Sequence, residues 1–457
     1  MAIDRLLDIA DKAVKLATKL NVDQAQASAF IHDTGLTRYA NSQIHQNVVV
    51  KNGGLLIKAI ISNQIATIRI STLEEKQVEK AVIRASRIAK ASRQNRDFKS
   101  LPDPEPWNPI EKSFNQETAD CSPRQRAEKA KEAVETAHSI SSNIKAVAGY
   151  ISTSSVTYAI ANSLGVSAAT KLSTAIMKTT AISRSGSSEG FGTAEKYSRN
   201  IKDIKPSLLA KEASEKAVKS LSPVRLSPGE YQVVLSPLAF ATLLTYMGYI
   251  GFSATPYQEG RSFVKYCLNE QVFDEKLNVK DDARDPKTLY AAPFDGEGVP
   301  KRPVQLIQKG TVTEESICHN SFTAGKENKR STGHAVPPIS EFFTERPLPF
   351  NETVSPCHSS TEEEIAETRE GIFVTTFHYV NPVEPTKVIL TGLTRDGTFL
   401  IDKGEISKPI MNMRFTDSML SALKNIPLIS RELETVQYTT VPSIKLEKLR
   451  FVGVSAY

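Results

Sequence analysis

The stretch Tyr231–Gln258, YQVVLSPLAFATLLTYMGYIGFSATPYQ, decides the fold, because it carries no charge in a chain that is 24% charged. Such a run must be shielded from water. Tyr231–Leu235 reads as a buried strand. Ser236 then supplies an N-cap and Pro237 a proline at the first helical position, and Leu238, Phe240, Ala241, Leu243, Leu244 and Met247 continue with helical spacing. Length alone would admit a membrane span, since about 20 apolar residues suffice. Thr242, Thr245, Gly248, Gly251, Ser253 and two prolines dilute the hydrophobicity, however, and no basic flank abuts either end. Strand, cap and a helix apolar all round are read as the centre of a domain core.

The 457 residues are enough for about three domains. Hydrophobic content of 40% describes an ordinary folded protein. A net charge of +6 is spread over 57 basic and 51 acidic residues with no dense Lys/Arg cluster, so a nucleic-acid partner is not expected. The first residues, MAIDRLLDIADKAVKLATKL, hold acidic groups and no uninterrupted apolar core, which argues against a secretory signal. Four scattered cysteines, Cys121, Cys267, Cys318 and Cys357, form no disulfide framework. Together these features lead us to expect a cytoplasmic protein.

Working outward, the periodicities predict an α+β fold. Residues 1–96 read as an N-terminal α/β module, 97–121 as a linker, 122–222 as a central α/β module and 223–457 as a C-terminal domain. The two α/β modules combine meander sheets with amphipathic helices. The last domain reads as mixed, largely antiparallel β around the buried helix. In the first module a helix over Asp4–Leu20 precedes strands at Gln24–Phe30, Asn47–Lys51, Leu55–Ile61 and Ile65–Ile70. Asn52-Gly53 is read as a hairpin turn, and Thr72 with Glu75 as a capping box. Trp107, in the proline-rich linker, is expected to pin that segment to the body. The central module is read as a helix after Ser122-Pro123, strands at Ile144–Ile151, Val156–Ala161 and Val166–Ile182, a flexible loop at Ser183–Gly192 and a helix at Ser207–Leu221. In the last domain, turns are placed at Lys309-Gly310, Arg395-Asp396-Gly397 and Lys403-Gly404, a helix at Thr416–Asn425 and the final strand at Ile444–Val454. Ser321–Cys357 reads as a long polar loop of the functional or disordered kind.

Several common chemistries are excluded. No HExxH occurs, and no two histidines lie four residues apart. Gly186-Ser187-Ser188-Glu189-Gly190 fits GxSxG but lacks the apolar strand and following helix of a nucleophile elbow, and the SxxK strings lack their partner motifs. Two Cys-His dipeptides, Cys318-His319 and Cys357-His358, could together offer four metal ligands, although neighbours in extended chain point to opposite sides. Asp295 with Glu297, or Asp396 with Arg395, could serve acid–base chemistry; beside Gly298 and Gly397 they read more simply as turn formers.

The order of RYANSQIHQN (38–47), ANSLGV (161–166), VVLSPLAFATLL (233–244), FDGEGVPKRPVQLIQKG (294–310), STGHA (331–335), GLTRDGTFLIDKGEI (392–406) and RFTDSML (414–420) resembles the TldD/PmbA family, also called modulators of DNA gyrase. The resemblance covers nearly the whole chain. It implies a cytoplasmic protease built from two kinds of subunit: a TldD type carrying zinc on an HExxxH helix, and a PmbA/TldE type sharing the fold without the ligands. It implies unfolded or short peptides as substrates. In this sequence the zinc register falls on Thr245 to Ile250, where Thr245 and Ile250 replace the ligands and Tyr246 the general base. The expectation is therefore a non-catalytic subunit with no metal of its own, zinc residing in a TldD-type partner. The alternatives are a stand-alone regulatory protein and a hydrolase using an unrecognised site in the Ser321–Cys357 loop.

Overall fold

The computed structural model describes residues 2–338 and 346–455. Strands β1 (Gln24–Ala40), β2 (Gln43–Ile61), β3 (Gln64–Ile70), β4 (Ile144–Asn162), β5 (Ser167–Ser185) and β6 (Ser188–Ser198) form one 6-stranded antiparallel sheet in the order β3-β2-β1-β4-β5-β6. The modules expected as separate bodies at 1–96 and 122–222 thus share a sheet, joined where β1 runs against β4 from Gln26↔Asn162 to Tyr39↔Gly149. Each half supplies β1 or β4 with one neighbour, and each of these strands takes its second from the other half.

The sheet's two faces differ in residue size, as the period of 2 requires. Ala25, Ala27, Ala29, Ala159, Ala161, Ala175 and Ala181 face the helices. These are α1 (Ala2–Lys19), α2 (Glu75–Ala91), α4 (Pro123–Ile140) and α5 (Pro206–Lys219), the short α3 (Gln116–Ala119) preceding α4. Small side chains on both sides let the helices lie close. Ser122 caps α4 through a full capping box with Gln125. The opposite face presents Phe30, Val156, Tyr158, Ile160 and Leu172, which pack against Phe294 of the C-terminal domain. Trp107 of the linker meets Phe294 edge-on at 5.0 Å between ring centroids, so the tryptophan pins the linker as expected.

Three local expectations are corrected. Asn52-Gly53 does not turn; β2 runs through it, and the chain reverses at Asn41-Ser42 and Ser62-Asn63, where both residues of each pair have positive φ, as a type I′ hairpin demands. Ser183–Gly192 is not a loose loop but the β5–β6 hairpin, turning at Gly186 with φ +57°. The α2 N-cap is Glu74, without a side-chain bond, while Thr72 Oγ1 accepts from the Glu74 amide at 3.2 Å.

In the C-terminal domain, β7 (Gly229–Leu235) leads into α6 (Pro237–Gly251) as read, with Ser236 Oγ accepting from the Ala239 amide at 3.3 Å. Beyond α7 (Ala254–Gln258) come β8 (Val279–Asp281), β9 (Val304–Ile307), α8 (Ser321–Lys326), β10 (Glu352–Val354), α9 (Thr361–Ala366), β11 (Glu370–Glu384), β12 (Ile389–Asp402), β13 (Glu405–Pro409) and β14 (Met413–Ser418). The chain ends with α10 (Met419–Ala422), β15 (Leu428–Ile429), β16 (Glu434–Val436), β17 (Thr439–Val441) and β18 (Ile444–Val454). β11 pairs with both β7 and β12, so the path β11-β7-β18-β14-β12 closes into a ring. A second sheet runs β16-β17-β10-β8-β9. Helix α6 touches β11 of the ring and β16 and β17 of the smaller sheet, and this two-sided burial is why it is apolar all round. The expected helix at Thr416–Asn425 is shorter, because β14 continues to Ser418 before α10 begins.

Candidate functional site

The α6 helix organises the candidate site. Ile250 is buried in the core, whereas Thr245 and Tyr246 are half-buried and Tyr246 packs against that core. A hydroxyl, a phenol and an aliphatic chain offer zinc neither imidazole, thiolate nor carboxylate, so these residues do not fit the metal of a TldD-type helix. One turn of the same helix instead meets a carboxylate: a Cβ on Gly248 would stand 2.1 Å from Glu352 Oε1 of β10.

Glu352 belongs to a buried polar cluster that the sequence reading missed. It pairs across the small sheet with Asp281 of β8. Asp281 Oδ1 lies 2.9 Å from His334 Nε2, and its Oδ2 accepts from the Asn351 amide at 2.7 Å. Burial pushes Asp281 up, but His334 and Lys301 outweigh it and hold the carboxyl below its ordinary value. Glu352 goes the other way, driven well above its ordinary value by burial and then by the Asp281 charge, and its Oε1 has no hydrogen-bond partner. Two carboxylates this deep cannot both ionise cheaply, and the one beside the histidine keeps the charge. His334, in the STGHA stretch, was the only available signal; nothing local marks Asp281 or Glu352 as buried.

The motif at Phe294–Pro300 is a turn, as expected, but a buried one. Asp295 Oδ1 accepts from the Glu297 and Val299 amides at 2.8 and 3.0 Å, and Oδ2 from the Ala335 amide at 2.9 Å. Gly298 holds φ +83° and would strike Val166, in the turn between β4 and β5, if it bore a Cβ. Burial and then the charge of Glu297 push Asp295 up to about 7, against the pull of its amide donors and Lys301. Glu297 Oε2 accepts from the Ser321 amide at 2.8 Å. These carboxyls brace the turn from within the C-terminal domain, while Phe294 and Gly298 at its ends meet Tyr158 and Val166. Asp295→Ala would leave three buried amides without acceptors and is expected to cost about 3 kcal/mol or more in a urea titration. Asp295→Asn keeps one acceptor oxygen and should cost about half that.

Arg395-Asp396-Gly397 is not the hairpin turn expected. It is a bulge inside β12, where the pairing with β11 skips between Val374 and Thr376, and Asp396 and Gly397 take φ of +53° and +123°. The left-handed backbone that suits a turn suits a bulge equally. Asp396 Oδ2 accepts from Thr193 Oγ1 of β6 at 2.7 Å, a bond between ring and sheet. Arg395 reaches His378 at 3.0 Å.

The Cys-His dipeptides do not meet. Cys318 is buried where the chain bridges Ser253, while Cys357 bonds through its amide to Ser430. Among the described residues no three His, Cys, Asp or Glu side chains gather as a metal site. His319 is buried, pushed down to about 4 chiefly by that burial, and neither ring nitrogen has a hydrogen-bond partner. The described parts of the 321–357 loop are well held: Ser331 and Thr332 hydroxyls donate to the His319 carbonyl, and His334 sits on Asp281. Residues 339–345 lie outside the described residues. A cavity of about 280 Å³ opens where this loop, through Ser321, Phe322 and Arg346, meets Phe98 and Leu101 of the linker. Arg346 also stacks over Tyr249 of α6 at 3.9 Å from the ring centroid.

An antiparallel sheet backed by helices and docked on a ring of strands around an uncharged helix defines the class as α+β. The family model described as the PmbA/TldA metallopeptidase C-terminal domain matches residues 228–453, and the one described as its central domain matches 114–221. The chain belongs to the PmbA/TldD metallopeptidase family. It is 24% identical over 263 residues to a metalloprotease PmbA homolog of Buchnera aphidicola, covering 56% of this chain and 54% of that one. The chain spans about half the length, or less, of the curated relatives it matches. The fold is that of TldE from Thermococcus kodakarensis, with TM-score 0.90, 19% identity and coverage of 97% of this chain and 100% of that one. It is also that of a Thermotoga maritima protein described as a candidate modulator of a DNA gyrase, with TM-score 0.85, 22% identity and coverage of 97% and 99%. Among the described residues no helix is long and apolar enough to cross a membrane.

Proposed function

We propose that this chain is the non-catalytic, TldE-type subunit of a two-chain cytoplasmic peptidase whose zinc resides in a TldD-type partner. The observation that carries the reading is α6. Thr245, Tyr246 and Ile250 hold the positions that the family resemblance assigns to the zinc ligands and the general base, and Glu352 fills the space over Gly248. A buried helix bearing histidines and a glutamate would need a metal to offset their desolvation; this one needs only packing. The silent subunit then completes the substrate chamber and offers strand edges along which an extended peptide can pair.

The test is to purify the chain alone, measure its metal content and peptide cleavage, and repeat the assay with its TldD-type relative. Expected are no stoichiometric zinc and no cleavage alone, with activity in the mixture well above that of the relative by itself. Chelator-sensitive cleavage by the isolated chain, or full activity of the relative without it, would overturn the reading.

A further inference from the structure

A cleft of about 800 Å³ lies between the central sheet and the C-terminal domain, lined by no residue of α6, and plays no part in the reading above. Its lining holds five basic side chains, Lys112, Lys196, Arg199, Lys205 and Lys287, and one carboxylate, Asp203. Arg199 is already committed: its guanidinium donates to the carbonyls of Lys112, at 3.0 Å, and of Pro286, clamping the two walls together. Asp203 is committed too, accepting from Ser198 Oγ at 2.6 Å. The four lysines are exposed, and none makes an ion pair with a described carboxylate, although Glu434 lies close enough to feel Lys196. Like charges gathered around one concavity repel, and they raise the local concentration of any anion able to sit among them.

The arrangement selects among anions. The lysines come from four segments, the linker, β6, the approach to α5 and the 286–289 turn, so their charge is spread over the cleft instead of converging on a point. Lysine is a flexible point charge without the planar fork that grips a single phosphate or carboxylate bidentately. Between the lysines stand Asn115, whose Oδ1 accepts from the Thr118 amide and whose NH2 group can donate to a peptide carbonyl, and Phe114, an apolar ring; the Thr288 and Thr435 hydroxyls are committed to the Asp285 and Lys287 carbonyls. The volume falls in the range of organic ligand sites and exceeds what one inorganic ion would fill. We infer that this cleft binds a short acidic peptide segment, its carboxylates on the lysines and its backbone against the Asn115 amide between them. The inference stands apart from the silent-subunit proposal, because binding is read on this chain alone.

The experiment is fluorescence anisotropy of the full chain with fluorescein-labelled penta-glutamate, beside a glycine-serine peptide of equal length. Expected are saturable binding of the acidic peptide only, weakening as salt is raised, and a loss of about tenfold or more in affinity for Lys196→Glu/Lys287→Glu. Both residues are exposed, so the variant should fold, and circular dichroism checks it; Lys287→Gln alone should give a smaller loss in the same direction. Equal binding of the neutral peptide, or unchanged affinity in the double variant, would overturn the assignment. So would displacement by tripolyphosphate at concentrations where penta-glutamate itself does not compete, since that would mark a phosphate site.

Discussion

Gly248→Val is expected to destabilise the protein by about 3 kcal/mol or more. Its Cβ would stand 2.1 Å from Glu352 Oε1 and 2.9 Å from the carboxyl carbon. Overpacking a core costs about 1–3 kcal/mol where side chains can still shift. Here the opposing group is a carboxyl on a short strand, 1% exposed, with Asp281 across the sheet. It has no route to water without opening the seam between α6 and β10. The same contact provides the control. Glu352→Ala removes the opposing atoms, so Gly248→Val/Glu352→Ala should be more stable than the sum of the two single changes by about 1–3 kcal/mol in a double-mutant cycle. Strict additivity in urea midpoints would show that helix and carboxyl do not compete for this space.

That contact also shows what a sequence can and cannot disclose. The strand, cap and helix from Tyr231 onward were legible because each signal is local: an uncharged run, a serine, then a proline. The last strand, Ile444–Val454, was read to the residue for the same reason, Ile444, Leu446, Leu449 and Phe451 recurring among the charged Lys445, Glu447, Lys448 and Arg450. Pairing between distant segments was not legible. Nothing in Gln24–Ala40 announces that its second neighbour begins at Ile144, so two modules were expected where one sheet exists. Asp396-Gly397 was read as a chain reversal and is a bulge, since a bulge and a turn draw on the same residues. The positions on α6 were named from a family resemblance, and the helix itself was placed by spacing. Glu352 escaped both routes. A glutamate in a polar stretch is ordinarily a solvated one, and only the fold brings Asp281, His334 and Glu352 together from three separate segments.

The titration of Glu352 should therefore set the alkaline side of the stability profile. In the folded protein its carboxyl is held well above its ordinary 4.5, by burial first and by the Asp281 charge second. The unfolded chain loses this proton near pH 4.5 while the folded protein keeps it, so the contribution is complete below that pH and is lost as pH rises through the raised folded value. The slope is about 1.4 kcal/mol per pH unit for as long as the folded carboxyl stays neutral. The facing groups act in the opposite sense. Asp281 is held below its ordinary 3.8, so its contribution is present above that pH and fails only in stronger acid. His334, lowered from 6.5 chiefly by burial, contributes above 6.5 and loses ground as pH falls. Glu352→Gln keeps the shape and removes only the ionisation. The variant is expected to gain on the wild type as pH rises above 4.5, for as long as the folded carboxyl stays neutral, read as the difference in urea midpoints. A gap that stays constant above that pH would mean that Glu352 is already ionised in the folded protein, and that water reaches the ground between α6 and β10.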